Sequence, residues 1–238
     1  MRVLDLFSGI GGFSLGLERA GMQTVAFCEI DPYCRQVLRK HWPNVKIYED
    51  VRELSSQHLT ADGIGVDLIC GGFPCQDISL VGKGGGIDAE RSGLWKEYAR
   101  IIGEVGPRYV IVENVSALLI RGIDRVLGDL AALGYDAEWH CIPASAVGAP
   151  HRRDRIWIIA NSDKPRLQRW DGSCLSKWND PERYAASRDW WSTQPDICRV
   201  AHGVPSRVDR IKSLGNSLVP HIPEIIGRAI MSATHQET

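Results

Sequence analysis

The strongest constraint on this chain is an alternation that runs through its first 160 residues. The short apolar runs RVLDLF, TVAFCEI, NVKIYED, VDLICGG, RYVIVENV and RIWIIAN are rich in β-branched residues and bounded by Gly, Pro, Asp or Asn, which is the pattern of strands. Between them, FSLGLERAG, DPYCRQVLRKHW and IDRVLGDLAALGY carry apolar residues at helical spacing. Strand alternating with helix predicts an α/β fold, a mostly parallel sheet flanked by helices on both faces. Such sheets bind ligands beyond the carboxyl ends of their strands, so the residues following each strand are where chemistry is expected.

Beyond this unit the pattern changes. Residues 161–198 hold Trp170, Trp178, Trp190 and Trp191 among many charges, with little periodicity, and read as a small irregular lobe or a long loop. Residues 199–238 return to order: IKSLGNSLVPHIPEIIGRAIMSA reads as a turn leading into a closing helix. Charge is divided along the same line. Residues 1–150 hold 14 Lys and Arg against 19 Asp and Glu, whereas residues 151–238 hold 14 against 10. A basic C-terminal part fits a polyanionic partner, and chance asymmetry fits it equally well. The seven cysteines are scattered and include no CxxC pair, so reduced thiols and no metal site are expected. No apolar run approaches the ~20 residues of a membrane span, and the N-terminus runs directly into a strand pattern, so no membrane contact and a cytoplasmic location are expected.

After the first strand, DLFSGIGGF places Gly9, Gly11 and Gly12 where the chain must turn tightly into a helix and let backbone approach a ligand. It is neither the GxGxxG fingerprint nor a P-loop. Glu29 ends the second run, about 20 residues further on, where a ribose diol is usually held. Asp50 ends the third, where a carboxylate can accept from an adenine amino group. Each acid alone reads as a capping or surface residue; the three consecutive strand ends together favour an adenosine ligand. The fourth run delivers GGFPCQDIS. Cys28, Cys70 and Cys141 fall within strands and read as small buried fillers, but Cys75 lies past its strand on the ligand side, directly after Pro74. The polar, glycine-rich QDISLVGKGGGIDAERSG that follows reads as a loop able to close over a substrate. The fifth run ends in VENV, which sets Glu113 and Asn114 beside Cys75 if the fourth and fifth strands are neighbours, an arrangement for proton transfer to a substrate ring. In APHRRDRIWIIA, strand alternation points Arg153 and Arg155 to one face, where they would lower a thiol pKa and hold an anion or carbonyl.

Taken together, in this order, these stretches resemble the cytosine-5 DNA methyltransferases of bacteria and phages. DLFSGIGGFSLGLERAG resembles their cofactor loop, GGFPCQDIS their Pro-Cys motif, ENV their Glu-Asn-Val motif, HRRDRIW their Gln-x-Arg-x-Arg motif and LGNSLVP their closing Gly-Asn motif. The resemblance covers residue 3 to about 160 and about 199 to 230. It implies a Rossmann-like S-adenosylmethionine-dependent methyltransferase fold, with residues 1–160 catalytic and cofactor-binding, 161–198 a small target-recognition lobe and 199–238 a segment returning to the catalytic unit. It implies S-adenosylmethionine against Phe7, Ser8, Gly9, Gly11, Gly12, Ile30, Val51, Pro74, Asn216 and Ser217, with Glu29 on its ribose and Asp50 on its adenine. It implies a cytosine flipped from double-stranded DNA. Cys75 would add to C6, Glu113 would meet the N3 edge, Asn114 would support them, Arg155 would hold the cytosine O2 or support the thiolate, and Arg153 would order the region. Gln76, Ser79, Lys83, Arg91, Arg166 and Arg169 would touch DNA, with Arg183, Arg188 and the tryptophans as further candidates. The tryptophans equally suit a mini-core for the lobe. A monomer is expected, and both a cognate restriction endonuclease as companion and an orphan role guarding phage DNA fit the sequence.

The chain departs from the family pattern at three places. His151 stands where the motif has Gln, Ile30 where some members place an aromatic ring, and the recognition region is short. The alternative reading is a tRNA cytosine-5 methyltransferase of the same fold, a subclass with a longer lobe and a Cys-Phe-Thr variant where this chain has Cys75-Gln76-Asp77. A non-catalytic relative would lack the cysteine or the cofactor acids, and a nucleotide-binding oxidoreductase would have no use for the Pro-Cys and Glu-Asn motifs.

Overall fold

The computed structural model describes residues 1–74, 93–162 and 207–235. Its strands are β1 (Arg2–Leu6), β2 (Gln23–Cys28), β3 (Lys46–Tyr48), β4 (Leu68–Gly71), β5 (Tyr109–Val115), β6 (Asp136–Pro143) and β7 (Asp154–Asn161). They form one sheet in the order β3-β2-β1-β4-β5-β7-β6. β1 pairs in parallel with both β2 and β4, and β4 with β5; only β7 runs against its neighbours, β5 and β6. The helices are α1 (Gly12–Arg19), α2 (Pro32–His41), α3 (Ser56–Ala61), α4 (Leu94–Val105), α5 (Leu118–Arg121), α6 (Ile123–Ala132), α7 (Arg207–Asn216) and α8 (His221–His235).

Strand alternation sorts the core into two layers, as the two-residue side-chain period requires. Leu4, Ile69, Val110, Val112, Ile156 and Ile158 point to the face covered by α4, α5 and α6. Val3, Leu68, Cys70, Ile111 and Trp157 point to the face covered by α1 and α8. Both faces are buried, which is why the central runs read as continuously apolar. Local signals set the helix starts. In α2, Asp31 accepts from the backbone N–H groups of Tyr33 (2.9 Å) and Cys34 (3.3 Å) with Pro32 in the first turn.

The structure corrects the sequence reading at three points. β6 is missing from the six apolar runs, because this edge strand interleaves Asp136, Glu138 and His140 with its apolar residues. Cys141 does lie in a strand, but it is exposed on that edge and fills no core, unlike Cys28 and Cys70. The segment IKSLGN is the end of a helix, α7, and only residues 217–220 turn before α8. The closing helix α8 packs mainly on α1: Ile222 and Ile226 meet Phe13 and Leu17 in a cluster that also holds Val3 of β1. No helix among the described residues is long and apolar enough to cross a membrane.

The α1–α8 contact depends on Gly16. A Cβ there would collide with the Pro220 carbonyl and lie 2.9 Å from the Glu224 nitrogen, both backbone atoms with little room to yield. Gly16→Ala is therefore expected to cost about 1–3 kcal/mol of stability despite its better helix propensity. Urea unfolding of the two proteins measures this; an unchanged midpoint would show that α8 does not press on α1.

Candidate active site

At the end of β1 the backbone turns through two left-handed residues, Phe7 (φ 54°) and Gly9 (φ 54°), before Gly11 (φ 86°) starts α1. A left-handed phenylalanine is a costly conformation, and it is held here by its surroundings. The Phe7 ring meets Tyr98 edge-on at 6.1 Å; Tyr98 meets Trp95, and Trp95 meets Phe73 at the end of β4. A row of aromatic rings, two of them from α4, thus supports both the glycine turn and the approach to Cys75. α4 was not among the helical segments read from sequence, so this floor was not foreseen.

The Gly9 N–H donates to Glu29 Oε2 at 2.6 Å, and the Asp31 N–H donates to Glu29 Oε1 at 2.7 Å. Two backbone donors thereby fix a nearly buried carboxylate at the mouth of β2, each oxygen keeping a lone pair for a ligand. Burial pushes the Glu29 carboxyl up from its ordinary value, and the two N–H groups oppose that. Ile30 next to it is 62% exposed, a large apolar side chain left open in the cleft. Asp50 lies past β3, held below the usual carboxylate range by the Arg52 guanidinium at 2.6 Å. Gly11 does not line the cleft. Its Cα side faces Trp42, whose ring leaves no space for a Cβ, so Gly11 serves the turn through packing.

β4 and β5 are neighbours, which brings Glu113 and Asn114 beside the Gly72-Phe73-Pro74 segment. Buried Asn114 donates to the Phe73 carbonyl at 3.1 Å and accepts from the Val115 N–H at 2.8 Å, tying the two strand ends together. Gly72 is needed because a Cβ would lie 2.8 Å from Glu113 Oε2. Glu113 is paired with Arg155 from β7, Nε to Oε1 at 3.0 Å. Burial pushes the Glu113 carboxyl up from its ordinary value, and Arg155 and then Arg153 pull it back only in part. Arg153, in a left-handed conformation (φ 38°), donates to the Gly215 carbonyl at 2.8 Å and so links the start of β7 to α7.

All of this meets in one cleft of about 760 Å³, within the range of small-molecule sites. Phe7, Ser8, Gly9, Gly12, Glu29, Ile30, Asp50, Val51, Pro74, Asn216 and Ser217 line it, and so do Glu113, Asn114, Arg153 and Arg155. Cys75, Gln76, Ser79, Lys83, Arg91, Arg166, Arg169, Arg183, Arg188 and the four tryptophans of 161–198 lie outside the described residues. Lys212 and Ser213 of α7 also line the cleft and were not foreseen. Lys212 pairs with Asp31 at 2.8 Å, and Ser213 Oγ is 3.5 Å from Cys34 Sγ. Read as a turn, their segment offered no face on which to place them. Among the described residues no group of three or more His, Cys, Asp or Glu is placed to hold a metal ion.

The description "C-5 cytosine-specific DNA methylase" matches residues 1–202. The chain belongs to the C-5 cytosine-specific DNA methylase family. Among its relatives, the type II methyltransferase M2.BsuMI of Bacillus subtilis is 34% identical over 223 residues, covering 90% of this chain and 50% of that protein. The type II methyltransferase M.CviJI of Paramecium bursaria Chlorella virus IL3A is 30% identical over 226 residues, covering 92% and 56%. A solved structure of a prophage-encoded E. coli DNA modification methyltransferase superposes with a TM-score of 0.58 at 28% identity, covering 68% of this chain and 46% of that one. The chain thus spans about half the length of these relatives. The parallel sheet with one reversed strand and flanking helices is the methyltransferase form of the Rossmann-like fold.

The Glu113–Arg155 pair predicts a measurable asymmetry. Arg155→Met removes the cation and leaves a largely buried carboxyl without its partner, so stability is expected to fall by about 2–3 kcal/mol. Adding Glu113→Gln should recover much of that loss, because the uncompensated charge disappears. Urea unfolding of the wild type, both single variants and the double variant measures the coupling; additive losses would mean that the pair is not formed in solution.

Proposed function

We propose that this chain is a DNA (cytosine-5-)-methyltransferase that uses S-adenosylmethionine and forms a covalent bond between Cys75 and the target ring. The observation that carries the reading is the single cleft, in which the adenosine-type residues of β1, β2 and β3 share one space with the ring-chemistry residues of β5 and β7. The fit to an adenosyl ligand rests on Glu29, whose oxygens are pre-set by two N–H groups to receive a diol, on exposed Ile30, and on the Asp50 acceptor at the far end. Bound there, S-adenosylmethionine supplies an electrophilic methyl group on a sulfonium sulfur.

The chain's own residues supply the rest. The Cys75 thiolate adds to C6 of a cytosine extruded from the duplex, which makes C5 nucleophilic. The addition is easier if N3 is protonated. Glu113 suits that role because burial raises its carboxyl, so it holds a proton closer to neutral pH than an exposed glutamate does. Arg155 keeps Glu113 oriented and brings positive charge to the place where the ring's carbonyl would sit. Asn114, through the Phe73 carbonyl, holds the strand end from which Pro74 and Cys75 emerge. Once C5 carries the methyl group, water takes the C5 proton, its electron pair re-forms the C5–C6 double bond and expels Cys75 as the thiolate, and N3 returns its proton to Glu113. Target reading falls to 161–198, and the loop from Gln76 to Arg91 closes over the DNA.

The test is incubation with tritiated S-adenosylmethionine and mixed-sequence duplex DNA, followed by bisulfite sequencing. Label in a fixed sequence context is expected, with none for Cys75→Ser. Glu113→Gln should lower the single-turnover rate by roughly 10²-fold or more while cofactor binding persists. Label on tRNA and none on duplex DNA would move the substrate to RNA, and full activity of Cys75→Ser would remove the covalent step.

A further inference from the structure

The mechanism above gives no task to Asp5, although it is the most deeply buried acidic residue among those described. It lies in β1, between β2 and β4, with no exposed surface. Its backbone carbonyl accepts from Ser8 Oγ at 2.6 Å, and its Oδ2 accepts from Ser14 Oγ at 2.7 Å. Ser8 stands at the start of the glycine turn and Ser14 in the first turn of α1, so one residue holds both ends of the loop. Within that bracket lie the Gly9 N–H that meets Glu29 and the left-handed Gly11, which starts α1 without any side-chain cap.

We propose that Asp5 is a positioning residue for the cofactor, its side chain holding Ser14 at the start of α1 while its backbone carbonyl holds Ser8 at the other end of the glycine turn. The inference rests on the reading of the cleft as an S-adenosylmethionine site. A site selected for stability alone would carry an apolar side chain or an amide here, since an unpaired buried carboxylate is expensive. The groups facing Asp5 are Ser14 of α1, Cys28 of β2, Glu29 beyond it, Cys70 of β4 and the Tyr98 hydroxyl of α4; none is a cation. Burial, and to a lesser degree Glu29, push the Asp5 carboxyl up to about 8, with Ser14 opposing. The folded chain therefore binds a proton that the unfolded chain has already released above about pH 4. Stability conferred by the site falls as pH rises from about 4 to about 8 and then levels off. Above that range an ionised Asp5 faces the Glu29 charge across the glycine turn.

Binding of S-adenosylmethionine and of S-adenosylhomocysteine to the full chain, measured by calorimetry without DNA from about pH 6.5 to about 9.5, tests the proposal. Asp5→Ala is expected to weaken binding about tenfold or more, and Asp5→Asn to stay within about threefold of the wild type near pH 7, because the amide keeps the acceptor and carries no charge. Above about pH 8 the wild type should lose affinity relative to Asp5→Asn, a difference in which the ligand's own titration cancels. The thermal midpoint of Asp5→Asn should also depend less on pH between about 5 and about 8. Unaltered binding by a folded Asp5→Ala, or an Asp5→Asn as weak as Asp5→Ala at every pH, would overturn the inference. If Asp5→Ala does not fold, Ser14→Ala decides: about a threefold or greater loss of affinity supports the bracket, and wild-type affinity overturns it. Failure of the wild type to bind either ligand would sink the cofactor reading and the inference with it, whereas normal wild-type binding with an unaffected variant sinks the inference alone.

Discussion

Everything in this molecule depends on the reversal of strand order between β1 and β4. From β1 the chain builds outward through β2 and β3; from β4 it builds the other way through β5. Where two parallel strands part in this manner, the connections after them go to opposite sides and leave a crevice at their carboxyl ends. The glycine turn of β1 forms one wall of that crevice and the Gly72-Phe73-Pro74 exit of β4 the other. Neither wall needs a dedicated binding domain. The sheet's hydrogen bonds and its two buried layers hold them, and the aromatic row from Phe73 through Trp95 and Tyr98 to Phe7 keeps them in register from below.

The electrostatics of the crevice divide between its two ends. At the β2 end, the Gly9 and Asp31 N–H groups hold the Glu29 carboxylate in place, and Arg35 reaches the Glu29 backbone carbonyl at 3.2 Å. At the β5 end, Glu113 is paired with Arg155 and sensed by Arg153, so its proton is held by a balance between burial and neighbouring charge. A carboxyl wholly stabilised by its arginines would be a poor proton donor, and one buried without them would be locked as the acid. The antiparallel β7 makes that balance possible. It pairs with β5 so that Trp157 lies opposite Glu113, and it places Arg155 two residues earlier, at the cleft edge.

The α/β class, the parallel core and most of the cleft were legible in the sequence because each rests on a local signal. Buried strands are apolar throughout, turns need glycine, and strand-end acids stand out against apolar runs. What was missed depends on contacts distant in sequence. β6 is an edge strand with alternating charges, and its identity comes from pairing with β7. α7 carries Lys212 and Ser213 to Asp31 and Cys34, partners about 180 residues away, in a segment whose Gly215 reads as a turn. Gly11 was placed among the ligand contacts because a glycine in a turn signals close approach, yet what approaches is the Trp42 ring. Asp5 sits inside an apolar strand run, and nothing in the sequence shows that Ser8 and Ser14 both return to it.

The C-terminal return supplies one side of the cleft. Because β7 is antiparallel, the chain leaves it at Asn161, opposite Tyr109 at the start of β5 and so at the sheet edge away from the cleft. By Lys212 it is back at the cleft, where Asp31, Cys34 and, through Gly215, Arg153 receive α7. Leu218 then packs against Gly12, and the Pro220 carbonyl against Gly16, so the last two helices close on the glycine turn that opened the fold.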